Sequence, residues 1–176
     1  MSSLPSNRVD AWQLRGHTAL VTGASKGIGL AAARELAGLG ADLLLVARDE
    51  DYLEQVRIEL AEDFPAVQVL ACGADLAEAE ERLAVFDWIA DLGAPLSLLV
   101  NNAGGNQPAA TLEYSDEACR AIFEQNLFSA FAMCRLAHPQ PGRGMGGGRH
   151  PRQRGGALVH PHPALGTRAG RPGLPG

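Results

Sequence analysis

The sequence predicts an α/β fold: a doubly wound parallel sheet with helices on both faces, which stops after its fourth strand and the helix that follows. Three observations predict it. Four short, largely apolar runs have strand length, the stretches between them carry apolar residues at three- and four-residue spacing, and a glycine-rich turn sits between the first run and the first helix. A strand buried on both faces reads as an apolar run rather than an alternation. Strands that alternate with helices pair in parallel through crossovers.

The elements follow in order. Residues 1–11 read as a disordered lead, with Trp12 and Leu14 anchoring the start of the fold. Thr18 to Val21 forms the first strand, and Ile28, Ala32, Leu36 and Leu39 give the next helix an apolar stripe that ends at Gly40. Leu43 to Ala47 is the second strand, followed by a helix with Leu53, Val56, Leu60 and Phe64 inward and Pro65 as its stop. Val67 to Cys72 is the third. Asp75 and the acidic run Glu78 to Glu81 open the third helix, where carboxylates meet the positive end of the dipole, with Leu83, Phe86 and Ala90 facing inward. Leu96 to Val100 is the fourth strand, and a fourth helix over Ser115 to Ala137 carries Ile122, Leu127, Ala130, Phe131 and Cys134. Residues 12–138 thus make one domain. Residues 139–176 hold 11 of the 21 glycines and 7 of the 11 prolines and show no periodicity, which predicts a tail without packed structure.

Charge and cysteine usage narrow the function classes. All 20 acidic residues lie at or before Glu124 with only eight basic ones, a charge of −12, and seven arginines with no acid follow, +7. Cys72, Cys119 and Cys134 form no C-x-x-C pair and are odd in number, which fits a reduced, cytoplasmic compartment. There is no apolar leader and no run of 18 apolar residues, so the reading includes neither signal peptide nor membrane partner.

The turn Thr22 to Gly29 carries the chemistry. A strand, a glycine-rich turn and a helix in immediate succession present unpaired N–H groups and the positive end of a helix dipole to phosphate. Gly23 permits the sharp turn, Gly27 clears space for a pyrophosphate, and Gly29 lets the helix approach the strand.

These residues carry a resemblance. Thr22 to Gly29 matches T-G-x-x-x-G-x-G, and Asn101-Asn102-Ala103-Gly104 matches N-N-A-G, both signatures of the short-chain dehydrogenase/reductase family. The run-in at Trp12, the segment Lys26 to Gly29 and Leu136-Ala137-His138-Pro139 are most similar to its tropinone-reductase-like branch, and the resemblance covers residues 12–139. It implies a Rossmann-type fold and hydride transfer between a nicotinamide cofactor and a small carbonyl or alcohol. By the same comparison Ser25, Lys26 and Ile28 line the diphosphate and adenosine side, Asp75 and Leu76 meet the adenine, and Asn102, Ala103 and Gly104 run beside adenine and ribose. Asn101 reads first as a structural amide at a strand end. NAD-binding members of this fold place an acid at the end of the second strand, where a 2′-phosphate needs a cation instead. That position is Arg48, and with Lys26 in the glycine turn it favours NADP(H) over NAD; the competing reading leaves Arg48 solvated and gives the ribose to Asp49 or Glu50.

In the family, catalysis falls to a Ser, a Tyr-x-x-x-Lys pair and an Asn, with the lysine lowering the tyrosine pKa. Asn126 stands where that Asn belongs, with a helix-bending polar residue as its alternative. The rest are absent: Lys26 is the only lysine, Tyr52 and Tyr114 precede Asn126 and lack the partner lysine, and no serine follows Ser129. The expectation is NADP(H) binding without turnover. Three origins compete for the tail: a shifted reading frame, a diverged domain, or a basic nucleic-acid arm. Back-translation of Arg149 to Arg154 favours the first, since the next frame can read Gly-Ile-Arg-Val-Asn-Val. The arm lacks lysines and aromatic residues for stacking, so no nucleic-acid partner is expected; a non-catalytic nucleotide- or nucleic-acid-binding protein is the alternative function. Family homo-oligomers use the helix left without its neighbour, which makes normal assembly doubtful.

Overall fold

The structure, a computed structural model, describes residues 13–93, 95–106 and 108–138. The lead, Trp12 and the tail 139–176, with its alternative origins and functions, lie outside the described residues. Four parallel strands, β1 (Thr18–Thr22), β2 (Asp42–Ala47), β3 (Val69–Gly73) and β4 (Leu96–Val100), form one sheet in the order β3-β2-β1-β4. Crossovers are made by helices α1 (Gly27–Gly38), α2 (Glu50–Asp63) and α3 (Ala79–Leu92), and β4 leads on to α4 (Asp116–Phe123) and α5 (Ser129–Ala137). The third strand starts two residues later than the apolar run, at Val69, because Val67 closes a turn by donating its N–H to the Phe64 carbonyl. Side chains of β1 and β2 alternate between two cores. Ala19, Val21, Leu43 and Leu45 pack with α1 and α2, while Leu20, Leu44 and Val46 pack on the other face with Val85, Trp88 and Ile89 of α3 and Met133 of α5. That is the doubly wound Rossmann-type arrangement.

Two helical stripes differ from expectation by one position. In α1 the buried residues are Gly29, Ala33 and Ala37, with Leu36 only partly buried and Ile28 81% exposed. The helix lies so close to β1 that only small residues fit beneath it, so the larger side chains ride on its flanks. In α3, Arg82, Val85, Trp88 and Ile89 are buried and Leu83 is 45% exposed, because the Arg82 guanidinium finds hydrogen-bond partners beneath the helix. The inward residues of α2 are the expected Leu53, Val56 and Leu60, with Phe64 packed at its end; Arg57 is buried too, held by Glu54 through two 2.7 Å bonds.

The fourth helical stretch is not continuous. A π-helical turn over Glu124–Phe128 separates α4 from α5. Of this stretch Ser129 and Met133 are buried, whereas Phe123, Leu127, Phe128 and Phe131 are half or more exposed. Cys134 is exposed, and Ile122 and Ala130 are partly buried.

Candidate functional site

At the C-terminal ends of the strands the chain turns sharply after β1. Gly23 has φ 64°, and a Cβ there would come within 2.9 Å of Ala103 Cα and of Asn102 Nδ2. Gly27 has φ 59° with open space around it, so backbone conformation, rather than clearance for a side chain, requires glycine there. A Cβ on Gly29 would collide with the Gly23 carbonyl oxygen and approach Asn102 Nδ2 to 2.5 Å, which is why α1 can start directly against the turn. Lys26 is the extended residue ahead of α1, and no side chain caps that helix end.

A second motif locks the first. The Thr22 hydroxyl donates to the Val100 carbonyl at 3.2 Å and accepts from the backbone N–H groups of Asn102 at 3.0 Å and Ala103 at 2.9 Å. The Asn102 amide donates to the carbonyls of Thr22 at 3.2 Å and Gly23 at 3.1 Å. Together they join the ends of β1 and β4 across some 80 residues of sequence. Asn101 donates instead to Cys134 Sγ at 3.1 Å and to the Ala130 carbonyl, tying β4 to α5, a structural role.

Between these turns lies a cleft of about 310 Å³. Gly23, Ser25 and Lys26 border it from β1, Arg48, Asp49 and Tyr52 from β2 and α2, and Asp75, Leu76 and Ala77 from the loop after β3. Asn102, Ala103 and Gly104 close the β4 side, with Gln125 beside them. Both cations, Lys26 and Arg48, are exposed at its rim. The acids beside them are engaged in holding backbone: Asp49 caps α2 by accepting from Tyr52 N–H at 3.1 Å, and Asp75 accepts from Ala77 N–H at 3.0 Å.

Four of the expected site residues do not border the cleft: Gly27, Ile28, Gly29 and Asn126. Gly29 supports the turn from below, and Ile28 points to solvent because Gly29, next to it, must face the strand. Asn126 sits in the π turn with its amide fully used. Its Oδ1 accepts from Gly105 N–H at 3.0 Å, and its Nδ2 donates to the carbonyls of Gly105 and Ile122, both at 2.8 Å. Both the family position and the helix-bending alternative are therefore compatible with its surroundings. Tyr52 and Gln125 border the cleft without having been expected there, and Thr22, which opens the glycine motif, bolts it together through a hydroxyl to which the sequence reading gave no role.

The comparisons with known proteins agree with this geometry. The family profile described as short chain dehydrogenase matches residues 17–149. Senescence-associated protein 13 of Arabidopsis thaliana is 42% identical over 130 residues, 73% of this chain and 47% of that protein. A tropinone reductase homolog of the same plant is 35% identical over 128 residues, 73% of this chain and 48% of its own. Among solved structures, L-sorbose reductase from Gluconobacter frateurii, complexed with NADPH and L-sorbose, superposes with a TM-score of 0.67 at 35% identity, over 70% of this chain and 47% of that one. A short-chain dehydrogenase from Sphingobium yanoikuyae in complex with NADPH gives a TM-score of 0.63 at 30% identity, over 69% and 46%. The chain spans about half the length of the relatives it matches.

Proposed function

The chain belongs to the short-chain dehydrogenase family, tropinone-reductase-like branch, and from that premise we propose that its cleft binds NADP(H) while the chain itself turns over no substrate. The observation that carries the cofactor reading is the pair of cations, Lys26 and Arg48, at the rim of a cleft built on the glycine turn and the strand ends. The residues present fit the group. The start of α1, which no side chain caps, offers its unpaired N–H groups to a pyrophosphate, and the positive φ of Gly23 and Gly27 gives the turn its shape there. Arg48 offers a planar fork of donors to a 2′-phosphate, and Lys26 a second positive charge. Asp49, the rival for a ribose hydroxyl, already accepts a helix-capping bond, which supports the phosphate reading. Ser25, Asp75, Leu76, Asn102, Ala103 and Gly104 complete the walls.

When bound, NADP(H) supplies the hydride chemistry that family members apply to small carbonyl and alcohol substrates. This chain's own residues bind and orient; Asn126, fixed by Gly105 and Ile122, holds the π turn beside Gln125 and is the family catalytic position by resemblance. The proton-handling partners are not in the sequence: one lysine, at position 26, and no Tyr-x-x-x-Lys. Titration with NADPH and NADH, followed by a panel of small ketones and alcohols, tests both parts. NADPH is expected to bind more tightly than NADH and to remain unoxidised. Absence of binding overturns the cofactor reading, and sustained NADPH oxidation by the pure chain overturns the reading of inactivity.

A further inference from the structure

We infer that Arg82 is a positioning residue for the adenosine end of the cofactor, an inference that rests on the NADP(H) reading of the cleft. Arg82 lies in the first turn of α3, buried to 8% exposure, and does not touch the cleft. Its Nη1 donates to three acceptors: the Leu76 carbonyl at 2.5 Å, the Ala77 carbonyl at 3.0 Å and the Glu124 carboxylate at 3.2 Å. Leu76 and Ala77 border the cleft after β3, and Glu124 begins the π turn whose next residue, Gln125, borders it beside Asn102 to Gly104. Glu81 grips the same loop one residue earlier, its carboxylate accepting from Asp75 N–H at 2.5 Å. Two adjacent side chains of α3 therefore hold the loop from underneath, and one of them extends the hold to the opposite wall. The sheet holds the loop only as far as Ala74, whose N–H donates to the Ala47 carbonyl at 2.9 Å, because β3 ends at Gly73. A buried cation whose partners are backbone carbonyls of a ligand-bordering loop fixes the shape of that loop at the cost of its own desolvation.

The test separates positioning from mere stabilisation. A residue that only stabilises the fold shifts the melting temperature but leaves Kd unchanged where all of the protein is folded. NADPH and adenosine 2′,5′-bisphosphate are titrated calorimetrically into wild type, Arg82→Met, Arg82→Lys and Glu124→Ala, well below each melting temperature. Arg82→Met keeps the volume and loses the donor, and is expected to weaken both ligands about tenfold, the size of one charge-assisted hydrogen bond. Nη1 shares two hydrogens among its three acceptors; Arg82→Lys keeps the charge and offers three donors on a stem one atom shorter, and is expected to fall between wild type and Arg82→Met. Glu124→Ala alters only the partly exposed end of the clamp and is expected to cost about threefold without unfolding the chain; it decides the matter should Arg82→Met fail to fold. Wild-type affinity in folded Arg82→Met, or in Glu124→Ala, overturns the inference. A wild-type chain that takes up neither ligand overturns the cofactor reading beneath it, and this inference with it.

Discussion

At the residue scale, the two cations at the rim and the glycine beneath the turn do different work. On the proposed NADP(H) reading, Arg48→Ala removes a charge-assisted bond to the 2′-phosphate and nothing from a ribose hydroxyl. It is expected to weaken NADPH by about 1.5–3 kcal/mol while leaving NADH nearly unchanged, measured as the ratio of the two Kd values; an unchanged ratio would return the ribose to Asp49 or Glu50. Gly29→Ala puts a methyl group against the Gly23 carbonyl and the Asn102 amide, which are bonded to each other, the amide also holding the Thr22 carbonyl. The expected cost is about 1–3 kcal/mol in chemical denaturation, with loss of cofactor binding. Cys72 supplies a pH signature. Burial first, then the nearby Glu50 and Glu81 carboxylates, push its thiol up to about 12. The folded state therefore keeps a proton that the unfolded chain releases nearer pH 9, so stability is full below that pH and falls as pH rises toward 12. Cys72→Ser is expected to lose this alkaline slope, and thiol reagents are expected to label exposed Cys119 and Cys134 well before Cys72.

At the element scale, the helix faces show what apolar spacing can and cannot report. The sites of all four strands and the inward face of α2 were legible because large side chains fill them. The faces of α1 and α3 were not. Beneath α1 the closest approach selects Gly29, Ala33 and Ala37, which contribute little to any apolar stripe, and beneath α3 an arginine occupies the inward position. The sequence hinted at the π turn only through the alternative reading of Asn126 as a helix-bending residue; the turn is held by the Asn126 amide and by the Ser129 hydroxyl donating to the Gln125 carbonyl at 2.6 Å, bonds available to many polar residues. In the site, the glycine turn was legible because the positive φ of Gly23 and Gly27 favours glycine, and Arg48 borders the cleft where its place after the second strand put it. Thr22 and Asn102 were placed by their motifs, but the bonds that join them span some 80 residues and no spacing announces those; Arg82, held by Leu76, Ala77 and Glu124, lies in no motif. The α1 register gives a direct check: Ala33→Leu overpacks the helix–sheet contact and is expected to cost about 1–3 kcal/mol or more, whereas Ile28→Ser, on the exposed side, is expected to stay within about 0.5 kcal/mol. Equal costs, measured by denaturant midpoints at constant m-value, would restore the stripe that starts at Ile28.

At the scale of the whole molecule, the two sides of the sheet are covered unequally. Every residue of β1, and all but the first of β2, is buried, whereas β4 pairs only with β1 among the described residues and none of its five residues is fully buried. Beside it the α4, π turn and α5 stretch exposes Phe123, Leu127, Phe128 and Phe131 at 51, 52, 52 and 67%. An edge strand that pairs on one side only, as β4 does among the described residues, can pair with another strand, and four large apolar side chains exposed within nine residues favour association. The chain by itself is therefore expected to self-associate with rising concentration. Sedimentation velocity over a concentration series reads this directly, and Phe123→Glu combined with Phe131→Glu is expected to shift the distribution toward monomer without lowering the denaturation midpoint, because neither side chain is in a core. Cofactor binding should survive that double substitution, since neither residue borders the cleft. A wild-type chain that stays monodisperse at the highest concentration and melts in one cooperative step would mean that the β4 side is covered in solution, and the expectation of self-association would fall with it.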